Sequence, residues 1–385
     1  MKNIATAEDI LGLKTTDIYF WRVKEILDRA GKNPHVTMEV TCSSKSVPWI
    51  VLAGIDDLVD ILRGRNVDVY SLPEGTLFPP RDMNGIPIPS VKITGKYLDF
   101  GLYETALLGS ISQASGIATK SSRFKRKTGE STLLSFGVRR MHPSLAPLID
   151  RNSYLGGCDK VSSVMGAERV GQKPEGTMPH SLLLILGEEE GWRLYDEIIE
   201  PEVARIALVD TNCDEKEASV RAGRVIKNLK AVRLDTPSSR RGNFADIVKE
   251  VRWELDRNGF NNVGIIVSGG IKEEEIDELR SAGASGFGVG TAISSSPAID
   301  FAMDIVSIEG KSVTKRGKFS GEKNVFRCAQ CHGFLVSPNE QELCPKDNSA
   351  MENLMKKIVD KGKVLYVENL EKERKYVLDQ LRWVG

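Results

Sequence analysis

Several short apolar runs in this chain end in residues that can handle anions. "ARIALVD" closes on Asp210, and "KAVRLD" carries Arg233 and closes on Asp235. "NVGIIVSGG" ends in Ser268-Gly269-Gly270, and "SGFGVGTA" holds Gly288-Val289-Gly290-Thr291. Glycine lets a backbone approach a phosphate that a Cβ would hold off. The planar arginine fork matches phosphate and carboxylate with two parallel hydrogen bonds. Asp210 and Asp235 are the acids that would hold a hard cation such as Mg²⁺, which takes few carboxylates and several phosphate oxygens. "SFGVRRMHP" sets a ring, Phe136, beside Arg139, Arg140 and His142, and "GTMPH" holds His180 between apolar runs, one of only four histidines. Each residue also has a plain structural reading. The glycines would be tight turns, the ion pairs a barrel rim, and the rings and the lone histidines core packing.

A second cluster is Cys328-Ala-Gln-Cys331, then twelve residues, then Cys344-Pro-Lys-Asp347. The spacing is that of a zinc ribbon or knuckle whose last ligand is an aspartate. Zinc takes four ligands from cysteine, histidine or carboxylate, so Asp347 or His332 would complete the set. Such a closed site is structural. A degenerate ribbon that has lost its metal stays as the alternative. Cys42, Cys158 and Cys213 are scattered, so the six cysteines read as metal chemistry and not as a disulfide framework.

The elements that must position these residues follow from the rest of the sequence. At 385 residues and 41% hydrophobic content, two or three domains and at least one large core are expected. Lysine plus arginine (53) equals aspartate plus glutamate (53), so bulk charge points to neither nucleic acid nor membrane as partner, and any anion site is built locally. The first residues lack the apolar core of a signal peptide and no run reaches 18 apolar residues, so the expected location is cytoplasmic.

From about 36 to 98, "HVTMEV", "PWIVLAG", "VDVYSLPEG" and "IPSVKITGKY" alternate β-branched runs with turns, which predicts an antiparallel sheet. From Asp99 to about Lys127 the spacing predicts a long helix buried along Leu102, Ala106, Leu107 and Ile111. Between about 203 and 305 the four apolar runs are separated by amphipathic stretches beginning near Asp214, Asn243 and Glu273, the pattern of parallel strands covered by helices. Polar or glycine residues at every strand end favour a barrel over an open sheet, since barrel sites sit there and successive late loops bind phosphate. Earlier barrel strands are expected near "TLLSFG" and "SLLLILG". The fold class is therefore α/β: an N-terminal α+β sheet domain (1–127, with 306–326 returning to it), an irregular α/β barrel (128–305) and a small zinc-ribbon-like C-terminal module (327–385).

In this order, "TTDIYF", "SFGVRRMHP", "GGCDKVSSV", "GTMPHS", "VRLDTPSSRRGNF", "VSGGI" and "FGVGTA" give a chain that resembles the nicotinate phosphoribosyltransferases over roughly residues 14 to 300, and most of all their archaeal branch. The resemblance implies a type II phosphoribosyltransferase, in NAD salvage, that joins nicotinate to 5-phosphoribosyl-1-pyrophosphate with Mg²⁺, giving nicotinate mononucleotide and pyrophosphate. It implies a homodimer or larger oligomer with shared sites. It places Phe136 and Tyr19 on the two faces of the pyridine ring, Tyr19 from a partner subunit. Arg139, Arg233 and Asp235 fall at positions that meet phosphate and ribose, and Asp159 near the pyridine substituent. Thr177 lies in the matched "GTMPHS" stretch and is counted with the substrate residues. Ser268, Gly269, Gly270 and Gly288 to Thr291 match the cradle for the 5-phosphate, and His180 matches the histidine phosphorylated in relatives that couple ATP hydrolysis to the reaction.

The chemistry fits these residue types. Displacing pyrophosphate from ribose C1 passes through an oxocarbenium-like state, which requires neutralising the leaving group, aligning the ring nitrogen and excluding water, with no side-chain nucleophile. Nicotinamide or quinolinate as the base, and a non-catalytic nucleic-acid-binding or regulatory protein carrying a zinc ribbon, are the rival readings. Zero net charge and two intact glycine loops oppose the second. The ATP requirement is open at this level.

Overall fold

The computed structural model describes residues 3–44 and 47–384. The chain divides into two compact units, one of residues 1–119 with 297–385, the other of residues 120–296. The second is therefore an insertion, in chain order, within the first.

In the first unit a seven-stranded antiparallel sheet runs in the order 311–312, 301–308, 35–42, 89–96, 67–71, 356–360, 363–364. Along residues 35–42 the strand alternates Val36, Met38 and Val40 with Thr37, Glu39 and Thr41, so one face is apolar and the other polar. The apolar face packs on the helix Ile55–Leu62, which buries Ile55, Leu58, Val59 and Leu62. Each such side chain contributes about 1.5–3 kcal/mol when fully removed from water. That helix starts at Gly54, held at φ 93°, where an added Cβ would lie 2.9 Å from the carbonyl oxygen of Ser110. On the polar face, Lys323 Nζ pairs with Glu39 at 2.8 Å.

The long helix spans Glu104–Thr128 and buries Leu107 and Ile111, with Ala106 packed against the same core. The chain returns from the second unit through strand Phe301–Ile308, earlier than the 306 read from the sequence, and pairs directly with His35–Cys42.

The cysteine segment is a small C-terminal module within the first unit. Its three-stranded sheet, in the order 334–337, 324–328, 351–353, belongs to the first unit. The Val336 N–H donates to Asp82 Oδ2 at 2.8 Å and the Met83 N–H to the Phe334 carbonyl at 3.0 Å. Directly after it, Lys356–Asp360 joins the large sheet against Val67–Ser71.

The second unit is a parallel half-barrel of six strands: β1 (Thr132–Ser135), β2 (Lys160–Val161), β3 (Arg205–Leu208), β4 (Leu229–Leu234), β5 (Gly264–Val267) and β6 (Gly286–Val289). Their order is β2-β1-β6-β5-β4-β3, and every pairing is parallel. Helices α3 (Glu215–Val225) and α4 (Phe244–Arg257) follow β3 and β4. The Asp214 side chain caps α3 by accepting from the N–H groups of Lys216 and Glu217, and Asn243 caps α4 through the Ala245 N–H.

One expected strand is instead a helix. "SLLLILG" forms α1 (His180–Leu186), followed at once by α2 (Glu188–Ile198). Its leucines are good helix formers and only Ile185 is β-branched. Leu184 and Ile185 are exposed, whereas a barrel strand would bury both faces.

Candidate active site

Strand register explains how the polar residues meet. Gly288 stands opposite Leu134, Ile266 opposite both Gly286 and Arg233, Arg233 opposite Leu208, and Ala231 opposite Ile206. Paired positions share a face, and side chains repeat every second residue. Leu134, Ile206, Ala231 and Ile266 form a buried cluster on that face, with Phe136 packed against it. One step further along each strand the same face carries Phe136, Gly290, Ser268, Asp235 and Asp210. The alternation that fills the middle of the sheet with apolar groups thus delivers the polar ones to its C-terminal edge.

At that edge His180 Nε2 lies 3.2 Å from Asp210 Oδ2. The Asp210 side chain is 1% exposed and burial holds its pKa above the ordinary aspartate value, opposed by the neighbouring His180. Arg233 is a largely buried cation of the site, its side chain 13% exposed. Burial lowers its pKa, while Asp235 and Asp210 favour its charge and Arg139 opposes it. Arg233 Nη2 is 3.8 Å from Asp235 Oδ2, and Ser268 Oγ donates to Asp235 Oδ1 at 2.7 Å. Among the buried side-chain atoms of this unit that have no protein hydrogen-bond partner are Asp210 Oδ1, Arg233 Nε, Thr177 Oγ1 and Thr211 Oγ1. Buried polar atoms left unmatched by protein are costly unless water or a ligand meets them.

The glycines do two jobs. Gly269 and Gly270 sit at φ 86° and 81°, and a Cβ on Gly269 would lie 2.9 Å from the Asp235 carbonyl oxygen. Gly288 instead makes room for Phe136, since a Cβ there would lie 2.6 Å from the ring. Val289 is buried within β6, and its carbonyl accepts the Phe136 N–H at 2.9 Å. Gly290 precedes the one-turn helix Thr291–Ser294, whose first N–H groups have no intrahelical acceptor.

Asp159 is not brought to this edge. It precedes β2, where its carboxylate pairs with Lys125 Nζ at 2.8 Å and accepts the Leu133 N–H at 2.9 Å, near the N-terminal end of β1. A carboxylate so engaged braces the start of the strand and is not aimed at a ligand beyond its end. Tyr19 belongs to the first unit, on helix Ile18–Arg29, and is half exposed, with its ring against Phe20 at 4.4 Å between centroids.

Three further residues hold the loops. Arg241 Nη1 donates to the carbonyls of Thr236 and Gly269 and stacks on Phe244, so it ties the loop after β4 to the loop after β5. Asp150, fully buried, bonds Ser135 at the end of β1 and Ser163 at the start of the next helix. Glu188, also buried, accepts the Asn212 N–H and pairs with Arg221. Glu188 opens a run of three glutamates, and nothing local separates it from the other two except the preceding glycine.

In the first unit Cys328, Cys331, Cys344 and Asp347 place their donor atoms within 4.8 Å of one another. Cys331 and Cys344 sulfurs are 3.6 Å apart, and Cys328 Sγ is 3.2 Å from Asp347 Oδ2. Tetrahedral zinc with bonds of about 2.3 Å sets sulfurs about 3.8 Å apart, so the set is consistent with zinc. The N–H groups of Gln330 and Cys331 both point at Cys328 Sγ, and the Ser349 hydroxyl and N–H hold Asp347 down to about 2. His332 is not the fourth donor. Its backbone adopts φ 55° and its ring stacks on Trp383 at 3.9 Å, outside the cluster.

Among the described residues no helix is long and apolar enough to cross a membrane. Residues 117–304 match the family model "Quinolinate phosphoribosyl transferase, C-terminal domain" and residues 17–115 the corresponding N-terminal domain. The chain is similar to a nicotinate-nucleotide pyrophosphorylase of Pyrococcus furiosus, with 47% identity, a TM-score of 0.94 and coverage of 99% of this chain and 98% of that one. It is 31% identical over 284 residues to nicotinate phosphoribosyltransferase pncB2 of Mycobacterium tuberculosis, covering 70% of this chain and 58% of that protein. The chain thus spans a little over half the length of the curated relatives it matches. Human nicotinic acid phosphoribosyltransferase shares the fold at 19% identity, with a TM-score of 0.74 over 96% of this chain and 94% of that one. With both domain models in sequence and a full-length likeness at 47% identity, the chain belongs to the quinolinate phosphoribosyl transferase family, the type II phosphoribosyltransferases.

Proposed function

We propose that this protein transfers the phosphoribosyl group of 5-phosphoribosyl-1-pyrophosphate to nicotinate, releasing pyrophosphate, in NAD synthesis. The observation that carries this reading is the C-terminal edge of the half-barrel. There a largely buried arginine, two carboxylates and a histidine converge, with unmatched buried atoms on Asp210 and Arg233. The curated Mycobacterium tuberculosis relative named above is a nicotinate phosphoribosyltransferase, which supports nicotinate as the base.

In this reading Arg233 and Arg139 bear on the diphosphate, and Phe136 supports one face of the flat ring. The loops at Ser268–Gly270 and Gly288–Thr291 receive the 5-phosphate. Asp210 and Asp235 suit Mg²⁺, because Asp210 Oδ1 has no protein partner and magnesium takes few carboxylates. When bound, the ion would neutralise diphosphate charge. The donors are fixed before the reaction, so they favour the separated charges of the transition state without reorganising. His180 either accepts a phosphoryl group from ATP, leaving ADP, or bonds substrate directly. Tyr19 closes the ring's other face from a partner subunit in a dimer or larger oligomer.

Quinolinate is the second reading, favoured by the family models and by Arg140, which lies beside Arg139 in one turn and offers a second guanidinium for a second carboxylate. Labelled nicotinate or quinolinate, phosphoribosyl pyrophosphate and Mg²⁺ separate the two. Nicotinate yields mononucleotide with no gas. Quinolinate yields the same mononucleotide only with loss of its 2-carboxyl as CO₂. Failure of both bases, with and without ATP, sinks the reading. Phosphohistidine after labelled ATP, absent in His180→Gln, identifies the coupled form.

A further inference from the structure

We infer that Glu188 is a positioning residue for the His180–Asp210 pair, a role that rests on the phosphoribosyl-transfer reading. Gly187, at φ 84°, ends α1 and starts α2, turning the chain so sharply that Glu188 faces back toward the end of β3. Glu188 Oε1 accepts the Asn212 N–H at 3.1 Å. Its Oε2 pairs with Arg221 Nη2 at 2.5 Å. The same helix sends Trp192, fully buried, to donate from Nε1 to the Leu208 carbonyl at 3.1 Å. Asp210 therefore sits between two anchors, one two residues before it and one two residues after, both from α2. His180, which meets Asp210, opens α1 of the same hairpin. The two helices meet closely, since a Cβ on Gly191 would lie 2.8 Å from Leu183 Cδ2.

The consequence is geometric. The hairpin carries the histidine, and Glu188 ties it to the loop that carries the aspartate, so imidazole and carboxylate move as one body. A side chain only 6% exposed and paired with an arginine is an expensive way to hold a loop by the Asn212 N–H and the Cys213 thiol, which donates to Oε2 at 3.5 Å. The position of Asp210 is what that cost secures. The hydrogen bonds and ion pair of Glu188 go to Asn212, Cys213 and Arg221.

The test compares Glu188→Ala and Glu188→Gln with the unaltered full chain. Glutamine still accepts from the Asn212 N–H, so it should keep kcat within about threefold. Alanine should lower kcat by about 10- to 100-fold, the scale of an ångström-level misplacement, while KM for nicotinate stays within twofold. The ¹³C-histidine resonance of His180, assigned through His180→Gln, should shift in Glu188→Ala and hold in Glu188→Gln. An unshifted resonance in Glu188→Ala overturns the proposal. So does a glutamine variant that loses activity and thermal midpoint in step with alanine, which marks a fold defect alone. If the unaltered chain transfers to neither base, the transfer reading fails while the resonance still decides the positioning.

Discussion

His180 Nε2 lies 3.2 Å from Oδ2 of Asp210, and the other oxygen of that buried carboxylate has no protein partner. The pair joins two segments thirty residues apart in sequence, and it makes Asp210 the residue whose removal separates stability from function.

Burial raises the Asp210 pKa above its unfolded value of 3.8, so the native state disfavours the ionised form. The sign follows: the native protein binds this proton more tightly than the unfolded chain, so stability falls as pH rises through that interval and the penalty persists at neutral pH. Asp210→Asn removes it. The ligand-free variant should melt higher than the unaltered protein at pH 7, and the gap should close as the pH falls toward 3.8. Transfer activity should drop by about 100-fold. A variant melting lower at pH 7 would show that the carboxylate stabilises the fold.

Arg233 is held between Asp235 and Asp210, so its removal leaves two acids facing each other where a diphosphate should bind. Arg233→Ala should reduce kcat/KM for phosphoribosyl pyrophosphate by about 10²- to 10³-fold, the range seen when a preorganised charge-stabilising donor is lost. Arg233→Lys should recover little, because an ammonium cannot reproduce the fork. Steady-state kinetics with phosphoribosyl pyrophosphate varied decide the matter; unaltered values would remove Arg233 from the site.

Gly288→Ala probes the ring support. The new methyl would lie 2.6 Å from Phe136, far inside contact distance, so the ring must turn. Overpacking of this kind costs about 1–3 kcal/mol. The larger effect should be on KM for nicotinate, with KM for phosphoribosyl pyrophosphate little changed. Equal rises in both would show that the glycine serves the phosphate and not the ring.

Tyr19 tests the shared site. Tyr19→Ala should raise KM for nicotinate, and mixing it with Arg233→Ala chains should restore part of the activity when mixed oligomers form. No recovery in mixed oligomers would place ring and cation on the same chain's site.

Much of this was legible in the sequence because the half-barrel obeys simple rules. Apolar runs separated by amphipathic stretches that begin near Asp214 and Asn243 locate the strand ends, where Asp210, Asp235 and Ser268 stand and beside which Arg233 lies. "SLLLILG" misled because an apolar run of that length fits either a buried strand or a helix, and its exposure at Leu184 and Ile185 is a tertiary fact. Asp159 misled because one carboxylate before a strand looks the same whether it meets Lys125 or a substrate. Glu188 was invisible for a like reason: its partners, Asn212 and Arg221, lie 24 and 33 residues away in the chain. The glycine count pointed at phosphate, while Gly288 proved to make room for a ring.

The cysteine cluster yields the last prediction. Asp347 stands where a fourth cysteine would complete a ribbon, and its carboxylate is ready to bind, held to about 2 by Ser349. Protein purified without chelator should carry one zinc per chain by elemental analysis, and no zinc would mark the cluster as a relic. Asp347→Cys should tighten zinc by at least about tenfold, since thiolate is the softer and stronger donor at such sites. Cys344→Ser should release it. Because the cluster closes a sheet that is hydrogen-bonded to Asp82 and leads straight into Lys356–Asp360, loss of metal should lower the thermal midpoint. It should leave transfer activity at 25 °C unchanged, since every residue assigned to the half-barrel edge lies in the other unit. Zinc-depleted protein, freed of chelator and assayed in excess Mg²⁺, that is inactive at 25 °C with an unmoved midpoint would reverse that assignment and make the zinc part of the reaction.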